Sequence, residues 1–440
     1  MEFKKTFCSS PWFHMRITSD GSFNLCRWGR SDNEFHENVA NIKTTPPEVW
    51  FQEKVNEFRK EIINGNGHET NVCFECYKME KHGKISGRQR QLLKSGIIDG
   101  DEFEKTLVSS PWIDEFKKTL KKEKNLLYPQ DWQIDIGNYC NSGCVMCHPM
   151  SSSVLDSEFK KIGIINNKQP KAWTRDPAAL KNFFNCIDKT PSIAYMHFIG
   201  GEPVINPAFK QILQKLIDNG LNDTATIGFT TNLTVWDDDL NEKLKRFGNL
   251  NLGLSIECLD PLNDYIRYGS NVDETKHLLD KWCKLADECG WLVQLRITPT
   301  LLSIEKLHTI YEYAWENNLS VESCNFLEDP DYLRPSVLPL EYRQESINNL
   351  SRWIEQNSMD VDTSDKKVIN ARHPDYTKNA LLQDAKSYID YLKNSEDESH
   401  LLGDLVQYLN KIEKSRNNCI LNYIPHYEPL LRPFGYHKTH

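Results

Sequence analysis

Three cysteines are spaced closely enough to hold one metal cluster. Cys140, Cys144 and Cys147 follow a short apolar run, in the segment Tyr-Cys-Asn-Ser-Gly-Cys-Val-Met-Cys-His-Pro. Three thiolates in this C-x3-C-x2-C spacing can hold a four-iron cube and leave one iron without a protein ligand. That iron needs an outside chelator, and the amine and carboxylate of an amino acid suit it. A tetrahedral zinc site would need a fourth ligand, such as His148.

Polar residues and glycines lie at the carboxyl ends of the strands that are predicted downstream of these three cysteines. The first of these strands ends in Gly200, Gly201, Glu202 and Pro203. The two glycines let the backbone approach a ligand closely. Asn232, Ser255 and Arg267 end or follow the next two strands. The arginine can bind a carboxylate of a ligand, or form a salt bridge with Glu257 or Asp264. Because parallel sheets bind ligands at the carboxyl ends of their strands, these residues predict one site.

A second set of four cysteines lies near the N-terminus. Cys8 and Cys26 flank an Asp-Gly pair that predicts a hairpin turn, and a predicted helix at 47–63 separates them from Cys73 and Cys76. Four thiolates can hold a tetrahedral zinc ion or every iron of a [4Fe-4S] cluster, and the spacing alone leaves both open.

Two isolated cysteines end predicted strands on the same edge. Cys258 follows the fourth strand and Cys324 lies in the sixth, so either is a candidate catalytic thiol. The alternative is that both are buried packing residues, which is the more common role of a free cysteine.

The elements that position these residues alternate in type. Apolar runs predict strands at 132–136, 193–199, 225–230, 252–256, 292–297 and 321–326, and amphipathic helices lie between them. This pattern predicts an α/β fold, a partial (β/α)6 parallel barrel. We divide the chain into an N-terminal cysteine domain of hairpin plus helix (1–95), a connector (96–130), the barrel core (131–335) and a helical C-terminal extension (336–440).

Composition excludes several classes of protein. The chain has 440 residues, of which 39% are hydrophobic and 26% charged, as is typical of a globular protein. Its formal charge of −9 argues against a nucleic-acid partner, because phosphate binding needs a basic surface. The start has no signal-peptide pattern and no run of 18 apolar residues occurs, so we expect a cytoplasmic protein without a membrane partner. In that compartment, 13 cysteines indicate metal or catalytic chemistry rather than disulfides.

The cysteine triad and the Gly-Gly-Glu-Pro element together resemble the radical S-adenosylmethionine (SAM) superfamily. The resemblance implies a [4Fe-4S] cluster on Cys140, Cys144 and Cys147 that binds SAM and cleaves it to a 5′-deoxyadenosyl radical, which abstracts a substrate hydrogen. It also implies SAM contacts from Gly200, Gly201, Glu202, Pro203, Asn232, Ser255 and Arg267. The sequence departs from the family at Met146, where an aromatic residue is usual, and at Leu233, where relatives tend to have glycine.

The N-terminal cysteines resemble the twitch domain, the short form of the SPASM domain, which holds an auxiliary [4Fe-4S] cluster. The C-x12-G-x4-C spacing, the helical spacer and the final C-x2-C carry this resemblance. In relatives this domain usually follows the radical domain, whereas here it precedes it.

The resemblance implies an oxidoreductase or epimerase-type enzyme. We expect modification of a peptide or protein side chain, with dehydrogenation or epimerisation of a sugar, aminocyclitol or other small metabolite as the alternative. A metal-binding scaffold without turnover is a third possibility. An electron donor such as a flavodoxin or ferredoxin is the implied protein partner.

Overall fold

The structure is a computed structural model that describes part of the chain. The described residues are 7–26, 41–43, 53–66, 73, 76–77, 80, 86–94, 128–322, 327, 329–358 and 378–437. They include the C-x3-C-x2-C triad and the four N-terminal cysteines, whereas Cys324 lies outside them.

An eight-stranded sheet forms the centre of the described chain. Its strands are His14–Ile17 (β1), Phe23–Asn24 (β2), Asp131–Asp135 (β3), Tyr195–Ile199 (β4), Thr226–Thr231 (β5), Asn249–Ser255 (β6), Leu292–Arg296 (β7) and Ser320–Glu322 (β8). They are ordered β2-β1-β3-β4-β5-β6-β7-β8, and all neighbours except β1 and β2 are parallel. The six predicted barrel strands are confirmed as β3 to β8; the last four residues of the sixth, 323–326, lie outside the described residues.

The N-terminal hairpin belongs to the same sheet. Strands β1 and β2 pair antiparallel around Gly21, which has a φ of +95°, so the predicted hairpin is confirmed. Strand β1 also pairs in parallel with β3, where Ile17 lies opposite Ile134. The hairpin therefore adds two strands to the six of the barrel. The sequence did not indicate this pairing, because it joins segments that are far apart in the chain.

Each barrel strand has an apolar face toward the helices and a more polar face toward the concave side. In β3, Trp132 and Ile134 are buried, and Trp132 contacts Phe183 of the helix Pro177–Lys189 edge-to-face. Side chains alternate between the two faces of a strand, so Gln133 and Asp135 point to the concave side. This alternation leaves room for ligands on that side.

Helices connect the strands, and polar side chains cap the N-termini of several of these helices. The described helices up to β8 are Ser10–Phe13 (α1), Glu53–Asn64 (α2), Gly87–Lys94 (α3), Ser153–Lys161 (α4), Pro177–Lys189 (α5), Pro207–Asp218 (α6), Asp238–Leu244 (α7), Leu262–Ile266 (α8), Val272–Cys289 (α9) and Leu307–Glu316 (α10). Asp176, Asn206, Asp237 and Asn271 cap four of them by accepting first-turn N–H groups. In α6, Phe209, Ile212, Leu213 and Leu216 form one buried stripe, and burying each contributes about 2 kcal/mol.

The C-terminal extension is helical, as predicted. It contains Leu340–Ser358 (α11), Lys378–Asn394 (α12), Leu402–Arg416 (α13) and Glu428–Leu431 (α14). Helix α13 reaches the cysteine triad, because the Tyr408 hydroxyl donates to the carbonyl oxygen of Val145 at 2.7 Å. Within the described ranges, no helix is both long and apolar enough to cross a membrane.

Candidate functional site

The cysteine triad lies on a loop between β3 and α4, residues 136–152, which we call the cysteine loop. Cys144 is buried, and Cys140 and Cys147 are half-buried. Burial raises the pKa of the Cys140 thiol to about 11 and that of Cys147 to about 12. Because burial disfavours the charged thiolate, these groups suit a cationic partner that stabilises it.

Backbone hydrogen bonds fix the cysteine loop. The N–H groups of Gly143 and Val145 donate to the carbonyl oxygens of Tyr268 and Ile266, both at 2.8 Å. Within the loop, the Ser142 N–H donates to Cys140 Sγ at 3.4 Å. The loop is therefore held against α8 and the residues that follow it.

Two glycines after β4 pack tightly against the cysteine loop. Gly200 and Gly201 have φ values of +86° and +53°. A Cβ atom on Gly201 would lie 2.3 Å from the Tyr139 carbonyl oxygen, and one on Gly200 would lie 2.3 Å from Asp135 Oδ1. Both the left-handed backbone and the contact distance thus require glycine here.

Glu202 connects the ends of two strands. Its carboxylate accepts a hydrogen bond from the Val204 N–H at 3.1 Å and one from the Asn232 N–H at 2.6 Å. The side chain is 1% exposed, and burial raises its pKa to about 7. Asn232 continues the connection, since its side-chain N–H donates to Ser142 Oγ at 3.0 Å and lies 3.9 Å from Cys140 Sγ. The end of β5 is thereby attached to the cysteine loop.

Leu233 keeps the backbone conformation that glycine favours. Its φ is +59°, in the left-handed region, at the position where the resembling family tends to have glycine. Its side chain is fully buried, so apolar packing compensates for the strained backbone. The departure from the family pattern therefore leaves the left-handed turn in place.

Arg267 is paired inside the protein and also faces the site. Its Nη1 lies 3.1 Å from Glu257 Oε1, and the other oxygen of Glu257 accepts the Thr298 N–H at 2.9 Å. Both side chains are buried. Burial raises the pKa of Glu257, and the arginine acts against that rise. The salt bridge to Glu257 that the sequence left open is thus present.

One cavity brings the predicted site residues together. It has a volume of about 320 Å³ and lies at the carboxyl ends of β4 to β7; we call it the cysteine-side cavity. Among its lining residues are Cys140, Cys144, Cys147, Gly200, Gly201, Glu202, Pro203, Asn232, Ser255 and Arg267. Every residue predicted to hold the first cluster or to contact SAM therefore lines the same space.

Other lining residues were not singled out by the sequence. His197, Arg296 and Thr298 contribute to the wall from β4, β7 and the residues just after β7. Arg296 pairs with Glu322 of β8 at 2.9 Å. The sequence did contain a signal for such residues. Polar residues at every second position of an otherwise apolar strand indicate the side chains that point to the concave face.

Neither candidate catalytic cysteine is found among the described residues that line this cavity. Cys258 is fully buried, and its Sγ lies 3.6 Å from Asp260 Oδ1. It is outside the set of residues that line the cysteine-side cavity. Cys324 lies outside the described part of the chain. Catalytic roles for both stay predictions.

Helix α13 supports the cysteine loop from outside the barrel. Arg416 pairs with Glu158 of α4 at 2.7 Å and lies over the Tyr268 ring at 4.4 Å. If a Cβ atom were added to Gly143, it would lie 3.2 Å from Arg416 Nη2, so this arginine packs closely against the cysteine loop. Together with the Tyr408 bond to Val145, these contacts join the C-terminal extension to the loop.

The four N-terminal cysteines line a second, smaller cavity of about 20 Å³. Cys8, Cys26, Cys73 and Cys76 share it with residues of α1 and α2 and with two residues of α3. Burial raises the pKa of Cys8, and the proximity of the other three thiols raises it further. Across the described ranges, no three His, Cys, Asp or Glu side chains are placed to hold a single metal ion.

Two buried arginines hold the segment around Cys8. Arg59 of α2 donates to the Pro11 carbonyl oxygen at 2.9 Å, and Arg88 of α3 donates to that of Phe7 at 2.8 Å. Arg88 also pairs with Glu80 at 2.6 Å. The predicted spacer helix α2 and the helix α3, which the sequence did not predict, thus hold the segment around Cys8 in position.

Comparison with protein families identifies two regions of the chain. Residues 134–298 match the radical SAM superfamily, and residues 8–77 match an iron–sulfur cluster-binding domain, SPASM. The SPASM region precedes the radical SAM domain, in the order that the cysteine spacings predicted. No curated protein matches the chain.

Solved radical SAM structures resemble the chain at low similarity. Native anSMEcpe with bound AdoMet has 16% identity and a TM-score of 0.35, covering 52% of this chain and 62% of that one. Streptococcus suis SuiB bound to its precursor peptide SuiA has 17% identity and a TM-score of 0.36, covering 80% and 70%. The methyltransferase TsrM from Kitasatospora setae has 13% identity and a TM-score of 0.29, covering 41% and 33%. The chain spans about three fifths of the length of the anSMEcpe structures.

Proposed function

We propose that this chain, which carries a radical SAM domain behind an N-terminal iron–sulfur cluster-binding domain, modifies a peptide or protein side chain by hydrogen abstraction. The radical SAM domain implies a [4Fe-4S] cluster with SAM, and the SPASM domain implies an auxiliary cluster. The observation that carries the proposal is the cysteine-side cavity, where the cysteine triad and the predicted SAM contacts line one space.

The residues at the cysteine loop fit the first cluster. The thiols of Cys140, Cys144 and Cys147 would hold three irons, and the amine and carboxylate of SAM would complete the coordination of the fourth. The Ser142 N–H already points at Cys140 Sγ, as expected for a donor that stabilises a thiolate. When bound and reduced, the cluster supplies the electron that cleaves SAM to a 5′-deoxyadenosyl radical.

The remaining cavity residues would bind and orient SAM. The backbone of Gly200 and Gly201 is exposed to the cavity without side chains, so its polar groups can approach the amino group of SAM. Arg267, held in place by Glu257, would pair with the carboxylate of SAM. Ser255, at the end of β6, would donate to the same ligand. Glu202 acts mainly through its backbone partners, by fixing the strand ends.

The N-terminal cysteines match the auxiliary cluster in the number of their thiols. Four thiolates from Cys8, Cys26, Cys73 and Cys76 match its four irons and leave none open to a substrate. The hydroxyl of Ser10 lines this cavity, and it is buried without a hydrogen-bond partner among the described residues. A cluster sulfur would satisfy that donor. We assign electron transfer to this site, with a flavodoxin or ferredoxin as the external donor.

A peptide substrate is favoured by the domain composition, because twitch and SPASM domains occur mostly in enzymes that modify peptides. Dehydrogenation or epimerisation of a sugar, aminocyclitol or other small metabolite is the second candidate. Epimerisation would need a hydrogen donor opposite the radical, and Cys258 or Cys324 would supply it. In that case Cys258→Ala or Cys324→Ala should still cleave SAM but release no epimer.

Replacing each triad cysteine with alanine tests the radical chemistry. Because three ligands are needed to hold the cluster, Cys140→Ala, Cys144→Ala and Cys147→Ala should each form no detectable 5′-deoxyadenosine under reducing, anaerobic conditions. The measurement is chromatography of the SAM reaction. Cys186→Ala, at a buried cysteine of α5, is the matched control and should retain product formation. Undiminished SAM cleavage in any triad variant would refute the site.

A further inference from the structure

A second ligand-sized cavity lies on the concave side, beside the N-terminal hairpin. It has a volume of about 300 Å³, and we call it the hairpin-side cavity. Its walls are β1, β2 and their turn, the end of β3 and the segment 169–172, with Asn138 and Met150 from the cysteine loop. Neither cysteine set lines it, so it is a separate space from the two cavities assigned above.

The hairpin-side cavity shares a wall with the cysteine-side cavity. Asp135 lines the first and Gly200 lines the second, yet a Cβ atom on Gly200 would be only 2.3 Å from Asp135 Oδ1. Met150 and Ser151, adjacent in the cysteine loop, line one cavity each. A ligand in the hairpin-side cavity would therefore lie next to the space assigned to SAM.

Asn24 gives this cavity an unused hydrogen-bonding group. The residue lies in β2, lines the cavity and is only 1% exposed. Both the oxygen and the nitrogen of its side-chain amide are buried and have no hydrogen-bond partner among the described residues. Leaving a buried donor or acceptor unsatisfied costs about 1–3 kcal/mol, so such groups are normally satisfied by a partner. Asn24 lies opposite Arg16 in the hairpin, and both residues line the cavity, so the Asn24 side chain lies on the cavity side of β2.

The chemistry of the cavity selects an amide-containing, uncharged ligand. An asparagine amide presents one acceptor and adjacent donors, which complement the N–H and C=O of a peptide group. Charged residues of both signs also line the cavity: Arg16 from β1, and the carboxylates of Asp20 and Asp135. With two carboxylates against one arginine, the charged lining is net negative and would repel the phosphate of a nucleotide sugar or another phosphorylated metabolite.

We infer that the hairpin-side cavity binds a backbone peptide group of the substrate through the side-chain amide of Asn24. This inference rests on the proposed function and narrows its substrate class to a peptide segment beside the SAM site. The N-terminal hairpin thus contacts the substrate in addition to contributing two strands to the central sheet. Asn24 binds the substrate and takes no part in SAM cleavage.

The test uses Asn24→Leu, which keeps the size of the side chain and removes its amide, and Asn24→Asp, which keeps the shape and removes the donor. Asn241→Leu is the matched control, because the amide of Asn241 is also buried with no hydrogen-bond partner in the described part of the chain, and Asn241 lies outside the lining of this cavity. The probe is N-acetyl-L-alanine N-methylamide, a blocked unit with two peptide groups. Methyl α-D-glucopyranoside is the comparison probe for a sugar.

Binding is measured by saturation-transfer NMR at millimolar probe concentration, on the oxidised holoenzyme with SAM. We expect the blocked alanine to bind wild type and Asn241→Leu, and to bind both Asn24 variants at least about tenfold more weakly. Thermal melting and iron content show whether each variant is folded and loaded. Asn24→Leu should melt no lower than wild type, since the described residues give the Asn24 amide no hydrogen bond that the variant would lose.

Three results would overturn the inference. These are equal binding of the blocked alanine to wild type and both Asn24 variants, binding of the glucoside alone, and binding of neither probe. Formation of 5′-deoxyadenosine by wild type is measured separately. Cleavage of SAM without peptide binding would reject the role of Asn24 and leave the radical chemistry intact, whereas absence of SAM cleavage would reject the proposed function itself.

Discussion

At the scale of single residues, buried polar side chains fix the strand ends and the site residues through hydrogen bonds and a salt bridge. Glu202 satisfies the N–H groups at the ends of two strands, and Asn232 extends from one of them to Ser142 and Cys140. Arg267 is oriented by Glu257. Since these partners are buried, each contact is made in low dielectric, where a misplaced polar group is costly. Contacts between protein groups therefore fix the position of these site residues.

Leu233→Gly tests the balance between strain and packing. Glycine would relieve the left-handed backbone, a gain of about 1 kcal/mol, but would remove a fully buried leucine, a loss of about 3 kcal/mol or more. The loss is larger, so we expect the variant to be less stable by about 2–3 kcal/mol. Denaturant unfolding of the anaerobic protein measures it; a variant as stable as wild type would contradict the packing argument.

Asp135→Asn should alter the pH dependence of stability. Burial raises the pKa of Asp135 from 3.8 to about 6 in the folded chain, with the Gly137 N–H acting against the rise. The folded state holds this proton more tightly than the unfolded state. Its favourable contribution is therefore complete below pH 3.8 and is lost as the pH rises past 6.

An asparagine at this position does not ionise, so Asp135→Asn should be more stable than wild type at pH 8 by up to about 3 kcal/mol. The difference should shrink as the pH is lowered to 5. Melting temperatures across this range provide the measurement. Asp273→Asn, at an aspartate with a side chain 88% exposed, is the control and should show no such trend; a gain for Asp135→Asn that is the same at every pH would contradict the burial argument.

The spacing of cysteines and glycines predicted much of the candidate site, because metal ligands and left-handed turns restrict residue type locally. Cys140, Cys144, Cys147, Gly200 and Gly201 were identified in this way, and they line one cavity. The roles of Glu202 and Asn24 could not be predicted, since each depends on which segments meet in three dimensions.

At the scale of elements, the C-terminal helix α13 acts as a support for the cysteine loop. Tyr408 bonds the Val145 carbonyl oxygen, and Arg416 links the loop region to α4 through Glu158. The sequence predicted a helical extension from its periodic apolar positions, but periodicity does not specify which surface a helix covers. The contact with the loop is a property of the tertiary structure alone.

Tyr408→Phe tests this support. The change removes the hydroxyl that bonds the Val145 carbonyl oxygen and leaves that buried group unpaired, which costs about 1–3 kcal/mol. We expect the first cluster to be lost several-fold faster to an iron chelator, as followed by its visible absorbance. Tyr313→Phe, which removes an exposed hydroxyl bond to Asp280, is the control and should lose the cluster at the wild-type rate. Equal rates for both variants would show that α13 does not stabilise the loop.

At the scale of the whole molecule, two cysteine sets lie in one chain but in separate cavities. The sequence predicted both sets and the six barrel strands, because each depends on local pattern. It did not predict that β1 of the N-terminal domain pairs with β3 of the barrel, since strand pairing between distant segments has no local signal. The domains defined from the sequence therefore share one sheet.

Iron content tests whether the two cysteine sets load independently. Wild type should bind about eight irons per chain after anaerobic reconstitution, and Cys73→Ser with Cys76→Ser should bind about four. Because the two sets line different cavities, the double variant should still bind SAM. Cys283→Ser with Cys289→Ser, at two half-buried cysteines of α9, is the control and should keep about eight irons. About four irons and one zinc in wild type would contradict an auxiliary iron–sulfur cluster.

The parallel pairing of β1 with β3 also determines how the chain can be shortened. If the N-terminal domain were removed, β3 would become an edge strand with unpaired N–H and C=O groups and with Trp132 and Ile134 beside them. Exposed edges of this kind pair with other chains. A barrel expressed from residue 128 onward should therefore aggregate rather than remain a monomer, as light scattering would show. We therefore expect the N-terminal domain also to protect the barrel from self-association.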